Sequence, residues 1–339
     1  MAQSPLIIVG ENIHCTRVRL TSGKFVAALP DGRRALVFRD NGKPAHLPIP
    51  AHVLDGEEWQ NGKVRHVAVA VWQGLYGKGA DAEAGVAYLR AMVREQEAGG
   101  ACFLDLNVDE FSRDHAEKLR AVTWAAQVLQ EAGRLPLSID SSNPEILEAG
   151  IRASDRGRGK PLINSVSLER AAVIPLAAST GTCVIAGATG HTSMPEDLPT
   201  RLANLRELME KLRSHGFAPG DIYLDPLVCP ISVNAVNGTV VLDAIAELRK
   251  TYGPAIHFAP GLSNVSFGLP KRPLINQVFA HLCRARGCDG GIVDPAQIND
   301  KILDGLDTAS EPYRLASELL LGQDEFGMNY IAASREGVI

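Results

Sequence analysis

Eight short apolar runs, each followed by a longer amphipathic segment, restrict the architectures open to this chain. The runs are "LIIVGEN" (6–12), "CFLDLNV" (102–108), "LPLSID" (135–140), "PLINSVS" (161–167), "TCVIAG" (182–187), "DIYLDPL" (221–227), "AIHFAPGLSN" (255–264) and "GGIVDP" (290–295). Each is rich in branched residues and bounded by Gly, Pro, Asp or Asn, as strands of a buried parallel sheet are. Between them, Val86, Leu89 and Val93 repeat at helical spacing, as do Leu119, Val122, Ala126 and Leu129, and Leu202, Leu205, Leu208 and Leu212. Several of these segments end on glycine, and two open at Pro144 and Pro273, where the missing N–H costs nothing. Eight strand–helix units predict an α/β fold, a (β/α)8 TIM barrel. An open doubly wound sheet is the alternative, but it has fewer strands and a glycine-rich first turn, and "IIVGENIH" contains no GxGxxG.

Residues 16–77 interrupt the alternation between the first strand and first helix. A connection there is usually ~2–6 residues long, so the segment reads as a small β insertion. "KFVAALPDGRRALVF" predicts a hairpin around Asp31-Gly32, and "VRHVAVAVW" predicts a third strand. Because it follows the first strand, the insertion is expected on the catalytic face of the barrel, as a lid, a partner-docking surface or a tolerated decoration. Trp59, Trp72 and Tyr76 are its candidate apolar contacts. The expected organisation is one domain over 1–339, with 322–339 as a C-terminal tail.

Composition removes several function classes. A net charge of −5 gives no electrostatic footprint for nucleic acid. No apolar run approaches the ~18 residues of a membrane span. The start lacks a basic region followed by a long apolar one, so a cytoplasmic location is expected. Six scattered cysteines without a CxxC pair fit reduced thiols.

Active sites of such barrels are assembled at the C-terminal ends of the strands. Here those ends carry Glu11 and Asn12, Asp105 and Asn107, Asp140, Asn164, Thr189 and His191, Asp225, Ser263 and Asn264, and Asp294. One Asp or Asn is an ordinary turn-former, but nearly every strand end has one. The set is rich in carboxylates and amides and poor in cations, so it is not a phosphate cradle. A divalent cation on oxygen ligands is one reading. A flat nitrogen-rich heterocycle, donating to Asp and accepting from Asn, explains the balance better. His14-Cys15 and His191 are candidate metal ligands, but a histidine beside a pocket is more often a hydrogen-bonding wall, and no metal is expected.

"LDLNV" (104–108), "IDSSN" (139–143), "LINSVS" (162–167), "YLDPL" (223–227) and "GLSNVSFG…RPLINQVF" (261–279) occur in this order. The pattern resembles the methyltetrahydrofolate:corrinoid methyltransferase family, a pterin-binding barrel shared with the folate module of cobalamin-dependent methionine synthase. The resemblance covers residues 5–12 and roughly 80–320, and it departs from the family at "ENIH" (11–14) and in the insertion. It implies that Asp140, Asn164 and Asp225 contact the pterin ring, and that Asn264 hydrogen-bonds N5, the atom that holds the methyl group. Asp105 and Asn107 would support the pocket, and Ser266 and Arg272 match the loop after the seventh strand. It also implies tetrahydrofolate or 5-methyltetrahydrofolate as substrate and a homodimer. The cobalamin (corrinoid) is expected on a partner corrinoid protein, because the Asp-x-His-x-x-Gly signature of the family's cobalamin domain is missing from this chain. Methylation of tetrahydrofolate in a demethylation pathway is the favoured direction. A dihydropteroate synthase-like enzyme, with Lys271-Arg272 for its pyrophosphate, and a non-catalytic pterin or corrinoid scaffold are the alternatives.

Overall fold

The computed structural model describes residues 5–339. Eight strands form one sheet: β1 (Ile7–His14), β2 (Phe103–Asn107), β3 (Leu137–Asp140), β4 (Leu162–Val166), β5 (Cys183–Gly187), β6 (Ile222–Asp225), β7 (His257–Phe258) and β8 (Gly290–Val293). Their order is β7-β6-β5-β4-β3-β2-β1-β8, and a parallel bridge from Gly261 to Ile292 joins the chain just beyond β7 to β8. Helices follow the strands in alternation: α1 (Ala80–Ala98), α2 (His115–Ala132), α3 (Pro144–Arg152), α4 (Ile174–Thr180), α5 (Leu198–Ser214), α6 (Asn237–Tyr252) and α7 (Arg272–Ala285). This is the α/β TIM-barrel fold that the alternation predicted. Two more helices, α8 (Glu311–Leu320) and α9 (Met328–Glu336), complete the chain. Among the described residues, no helix is long and apolar enough to cross a membrane.

The chain divides into two compact units, Gly10–Leu162 and the remainder with Ile163–Ile339. In the N-terminal unit, β2 is buried at every position and pairs in parallel with β3, Leu104 opposite Leu137 and Asn107 opposite Asp140. Asn143 caps α3 through its side-chain oxygen, and Pro144 opens the helix, as the sequence predicts. In the C-terminal unit, β5, β6 and β7 pair in parallel, with Gly187 opposite Asp225.

Within the insertion, Val26–Ala28 and Arg34–Asp40 form the expected hairpin around Asp31-Gly32. A second hairpin joins Arg34–Asp40 to Lys43–Pro48, turning at Asn41-Gly42 with φ of 49° and 78°. Two consecutive positive φ values are the type I′ turn for which Asn-Gly is the standard sequence signal. The third strand needs correction. Only Lys63–Arg65 is extended, and His66–Tyr76 is a helix. Its buried residues (His66, Val67, Val69, Ala70, Val71 and Gln73) do not alternate but line a face packed on α1. Gly85 of α1 permits that contact, since a Cβ there would lie 2.6 Å from the Ala70 carbonyl oxygen. Tertiary packing overrides the strand preference of valine here. The insertion also meets α1 through Phe38 and Tyr88, whose ring centroids are 4.9 Å apart. Trp72 packs against His52 and Tyr76.

The run 255–264 is likewise not one strand. It is extended at His257–Phe258, and Leu262–Ser266 forms a 3-10 turn. Pro260 lies between them and has no N–H to continue a ladder. The tail 322–339 carries α9, anchored by the buried Tyr330 and by the Asp324 carboxylate, which accepts from the Asn329 and Tyr330 N–H groups at 3.0 and 2.9 Å.

Candidate functional site

In the N-terminal unit, the ends of β1, β2 and β3 bring together side chains far apart in sequence. His14 Nε2 lies 2.8 Å from Oδ2 of the fully buried Asp105. Asn107 Nδ2 donates to Asp140 Oδ2 at 2.9 Å, while Asn107 Oδ1 accepts from the Asp109 N–H at 3.0 Å. That second bond fixes which way the amide faces, so its nitrogen must point at Asp140. Asp109 ties the loop after β3 in place, accepting from the Ser142 N–H at 2.9 Å and from the Ser141 and Ser142 hydroxyls. "LDLNVDE" and "IDSSN" thus form one hydrogen-bonded assembly that runs from Asp140 through Asn107 and Asp109 to Ser141 and Ser142.

Burial pushes the Asp140 carboxyl up to about 6; the neighbouring Asp105 charge adds to this, and His14 and Asn107 oppose it. For His14, burial favours the neutral ring, but the Asp105 hydrogen bond and the Asp105 and Asp140 charges outweigh it, so its pKa is raised above 6.5. In Asp105→Asn burial would prevail, and the His14 pKa is expected to drop below 6.5. An NMR titration of the imidazole checks this; a value still above 6.5 would mean Asp105 is not what holds the proton. His14, Asp105 and Asp140 each offer one ligand atom, all within 4.8 Å of one another, a trio of donors close enough to hold a metal ion.

In the C-terminal unit, Asn164 lies half-buried on β4. Asp225 ends β6, and its Oδ1 accepts from the Leu227 N–H at 2.8 Å. Burial pushes this carboxyl up to about 6, against the pull of that bond and of the Arg201 charge. Arg201, from α5, is fully buried and donates to the Pro226 and Leu227 carbonyls. It clamps a turn in which Leu227 takes φ of 62°, a left-handed conformation disfavoured for a branched residue.

The 3-10 turn Leu262–Ser266 sorts its polar residues sharply. Ser266 is fully buried, and its hydroxyl accepts from Arg272 Nε at 3.0 Å. Arg272 also donates to the Ser263 carbonyl at 2.9 Å, so it straps the turn from the start of α7. Asn264 is exposed, and its amide makes no hydrogen bond among the described residues. The amide folds over Gly261, where a Cβ would come within 3.0 Å of Nδ2. His191 pairs with Glu207 of α5 on the surface, at 3.0 Å.

The residues singled out from the sequence therefore separate into kinds. Asn107 holds Asp140 by a hydrogen bond, Asp105 pairs with His14, Asp225 caps its own turn, Ser266 and Arg272 build the turn after the seventh strand, and Asn264 is left exposed. His14, read from the sequence as a candidate metal ligand or hydrogen-bonding wall, pairs with Asp105, whereas Asp109 and Arg201 were not among the residues expected at the site. Nothing local in the sequence marks these last two.

The strand ends of this parallel barrel thus carry two buried carboxylates with raised pKa values and, on the turn after the seventh strand, an open amide. The family described as "Pterin binding enzyme" matches residues 78–294. Methylcorrinoid:tetrahydrofolate methyltransferase of Eubacterium limosum is 30% identical over 259 residues, covering 75% of this chain and 89% of that protein. Methionine synthase of Mycobacterium leprae is 30% identical over 222 residues, which span 61% of this chain but only 18% of that protein. A solved dihydropteroate synthase from Stenotrophomonas maltophilia shares the fold, with a TM-score of 0.51 at 19% identity over 67% of this chain and 87% of that one. The chain belongs to the pterin binding enzyme family and, within it, to the methyltransferases of the methylcorrinoid:tetrahydrofolate kind.

Proposed function

We propose that the enzyme moves a methyl group between N5 of tetrahydrofolate and the cobalt of a corrinoid carried by a partner protein, in the direction that methylates tetrahydrofolate. The observation that carries this reading is Asn264, an amide left open on a turn that otherwise satisfies its polar groups. The relative from Eubacterium limosum bears a name with the same direction. By family resemblance, Asp140, Asn164 and Asp225 hold the pterin ring, with Asn107 and Asp105 behind Asp140. The partner's corrinoid supplies the methyl group, or accepts it in reverse.

The chain's own residues bind and polarise. Taken in reverse, through the same transition state, a methyl on neutral N5 is a poor electrophile, because the departing nitrogen would carry negative charge. An amide N–H aimed at N5 gains strength as that charge develops, and so favours the transition state over the ground state. Asn264 can donate a hydrogen bond but neither give nor take a proton, so solvent takes the N5 proton when tetrahydrofolate is methylated and returns it in the reverse reaction. The dihydropteroate synthase reading needs a free basic pair, yet Arg272 is committed to Ser266 and Ser263.

Pterin N–H groups donate to ionised carboxylates, and both Asp140 and Asp225 titrate near 6 instead of 3.8. Affinity for 5-methyltetrahydrofolate, corrected for the ligand's own titration, is expected to be flat above pH 7. Below pH 6 it should fall by up to about two decades per pH unit, one for each proton displaced. Calorimetry from pH 5 to 8 reads this, and an unchanged affinity removes the two carboxylates from the contact. Ligand-free stability has the opposite sign. Raised folded-state values favour the protonated fold, so this contribution is full below about pH 4 and is lost as pH rises through 6.

The test of function is absorbance at cobalt while the enzyme is mixed with methylcobalamin and tetrahydrofolate. Loss of the methylcobalamin spectrum with formation of 5-methyltetrahydrofolate supports the proposal. Folate binding without methyl movement in either direction would sink it.

A further inference from the structure

The C-terminal unit exposes apolar side chains where a folded chain gains nothing from exposing them. Ten large hydrophobic residues are exposed among the described residues, and five of them fall on three neighbouring segments. They are Val233 (80% exposed) and Val236 (50%) after β6, Phe267 (64%) after the Asn264 turn, and Phe326 (83%) and Met328 (68%) before and at the start of α9. The segments are physically joined. Ser232 Oγ donates to the Phe267 carbonyl at 2.6 Å, and the Ile231 N–H donates to the Val265 carbonyl at 3.0 Å. Gly322 lies against the Ala235 carbonyl, which would sit 3.4 Å from a Cβ at 322, and the Tyr330 hydroxyl reaches the Lys271 carbonyl at 3.4 Å. Phe326 takes φ of 54°, a left-handed conformation in which a bulky aromatic is strained, and its ring packs on almost nothing. Clustered apolar side chains on a well-tied surface mark an interaction site more often than chance exposure.

We infer that this surface receives the corrinoid-carrying partner. The inference rests on the methyl-transfer reading above and adds where the partner lands. The patch begins three residues beyond Asn264, whose carbonyl accepts the Phe267 N–H at 3.2 Å. A protein that brings cobalt to the Asn264 amide arrives beside Phe267 and, through the Ser232 bond to the Phe267 carbonyl, beside Val233. A second copy of this chain seated there would shut off the same amide, so the surface belongs to a visitor and not to a permanent dimer. A few apolar knobs instead of a broad apolar face suit a carrier that must leave after each transfer, as small transient interfaces do.

The test uses Val233→Lys and Phe326→Asn, the second chosen because Asn tolerates left-handed backbone. Each variant is assayed with free methylcobalamin and with methylcobalamin-loaded corrinoid modules, beginning with that of a methionine synthase and retaining those on which the unsubstituted enzyme turns over. Turnover on free methylcobalamin is expected to stay within about twofold, while KM for the loaded module rises roughly tenfold or more, as for a charge or truncation at an interface anchor. Three results overturn the assignment: equal loss on both substrates, no loss on either, or no loaded module that outperforms free methylcobalamin. A change from dimer to monomer by sedimentation in Val233→Lys would also overturn it, in favour of a self-interface. If the unsubstituted enzyme moves no methyl group even from free methylcobalamin, the methyl-transfer reading fails first and this one with it.

Discussion

Asn264→Ala is expected to slow methyl transfer by roughly a hundred- to a thousand-fold, the usual cost of deleting one preorganised donor to a developing charge. Affinity for 5-methyltetrahydrofolate should change far less, because the ring is held elsewhere and the amide's bond to N5 tightens only as the methyl departs. The fold should be unaffected. The side chain is exposed, makes no hydrogen bond among the described residues, and the turn is held by Ser266 and Arg272 instead. Single-turnover absorbance at cobalt together with calorimetric folate binding separates the two quantities. Equal losses in rate and affinity would make Asn264 an ordinary binding contact; an unchanged rate would end its catalytic role.

Arg201→Met is expected to cost about 3–5 kcal/mol of stability, the range seen when one member of a buried charged network is removed. The guanidinium is fully buried and serves the carbonyls of Pro226 and Leu227, which methionine would leave unpaired. Leu227 would lose the clamp that holds it at φ of 62°. The Asp225 carboxyl, already pushed up to about 6, would rise further without the Arg201 charge, so pterin affinity near pH 7 should fall too. Both carbonyls accept from the same guanidinium nitrogen, Nη1, so Arg201→Lys, whose ammonium carries three donors, is expected to recover part of the loss. Urea denaturation of both variants measures the effect, and a loss under about 1 kcal/mol would show that the buried arginine is not holding the turn.

Both predictions concern residues whose importance is unequally visible before folding. Asn264 sits in "GLSNVSFG", a motif recognisable by eye, and its neighbours Ser266 and Arg272 look just as functional there. Only the folded turn shows that the serine and arginine hold each other while the asparagine stays exposed. Arg201 reads as an ordinary charge on an amphipathic helix whose leucines face the core. Nothing nearby in sequence shows that it faces inward, because its partners lie 25 and 26 residues away.

The same division runs through the fold. Hydrophobic periodicity, glycine ends, Pro144 behind Asn143 and the Asp or Asn at strand ends are all local signals. They determined the eight strand–helix units and put Asp105, Asn107, Asp140, Asn164, Asp225 and Asn264 at or near strand ends, because strand period and helix period depend only on neighbours in the chain. Tertiary structure decided the rest. Valine and alanine in "HVAVAV" suit a strand or a helix, and close packing against α1 selects the helix. His14 and Asp105 are 91 residues apart, and only parallel strands arriving side by side turn them into a hydrogen-bonded pair with shifted protonation. A pKa, a buried clamp and an open amide are properties of what surrounds a group, and those surroundings exist only once distant segments have packed.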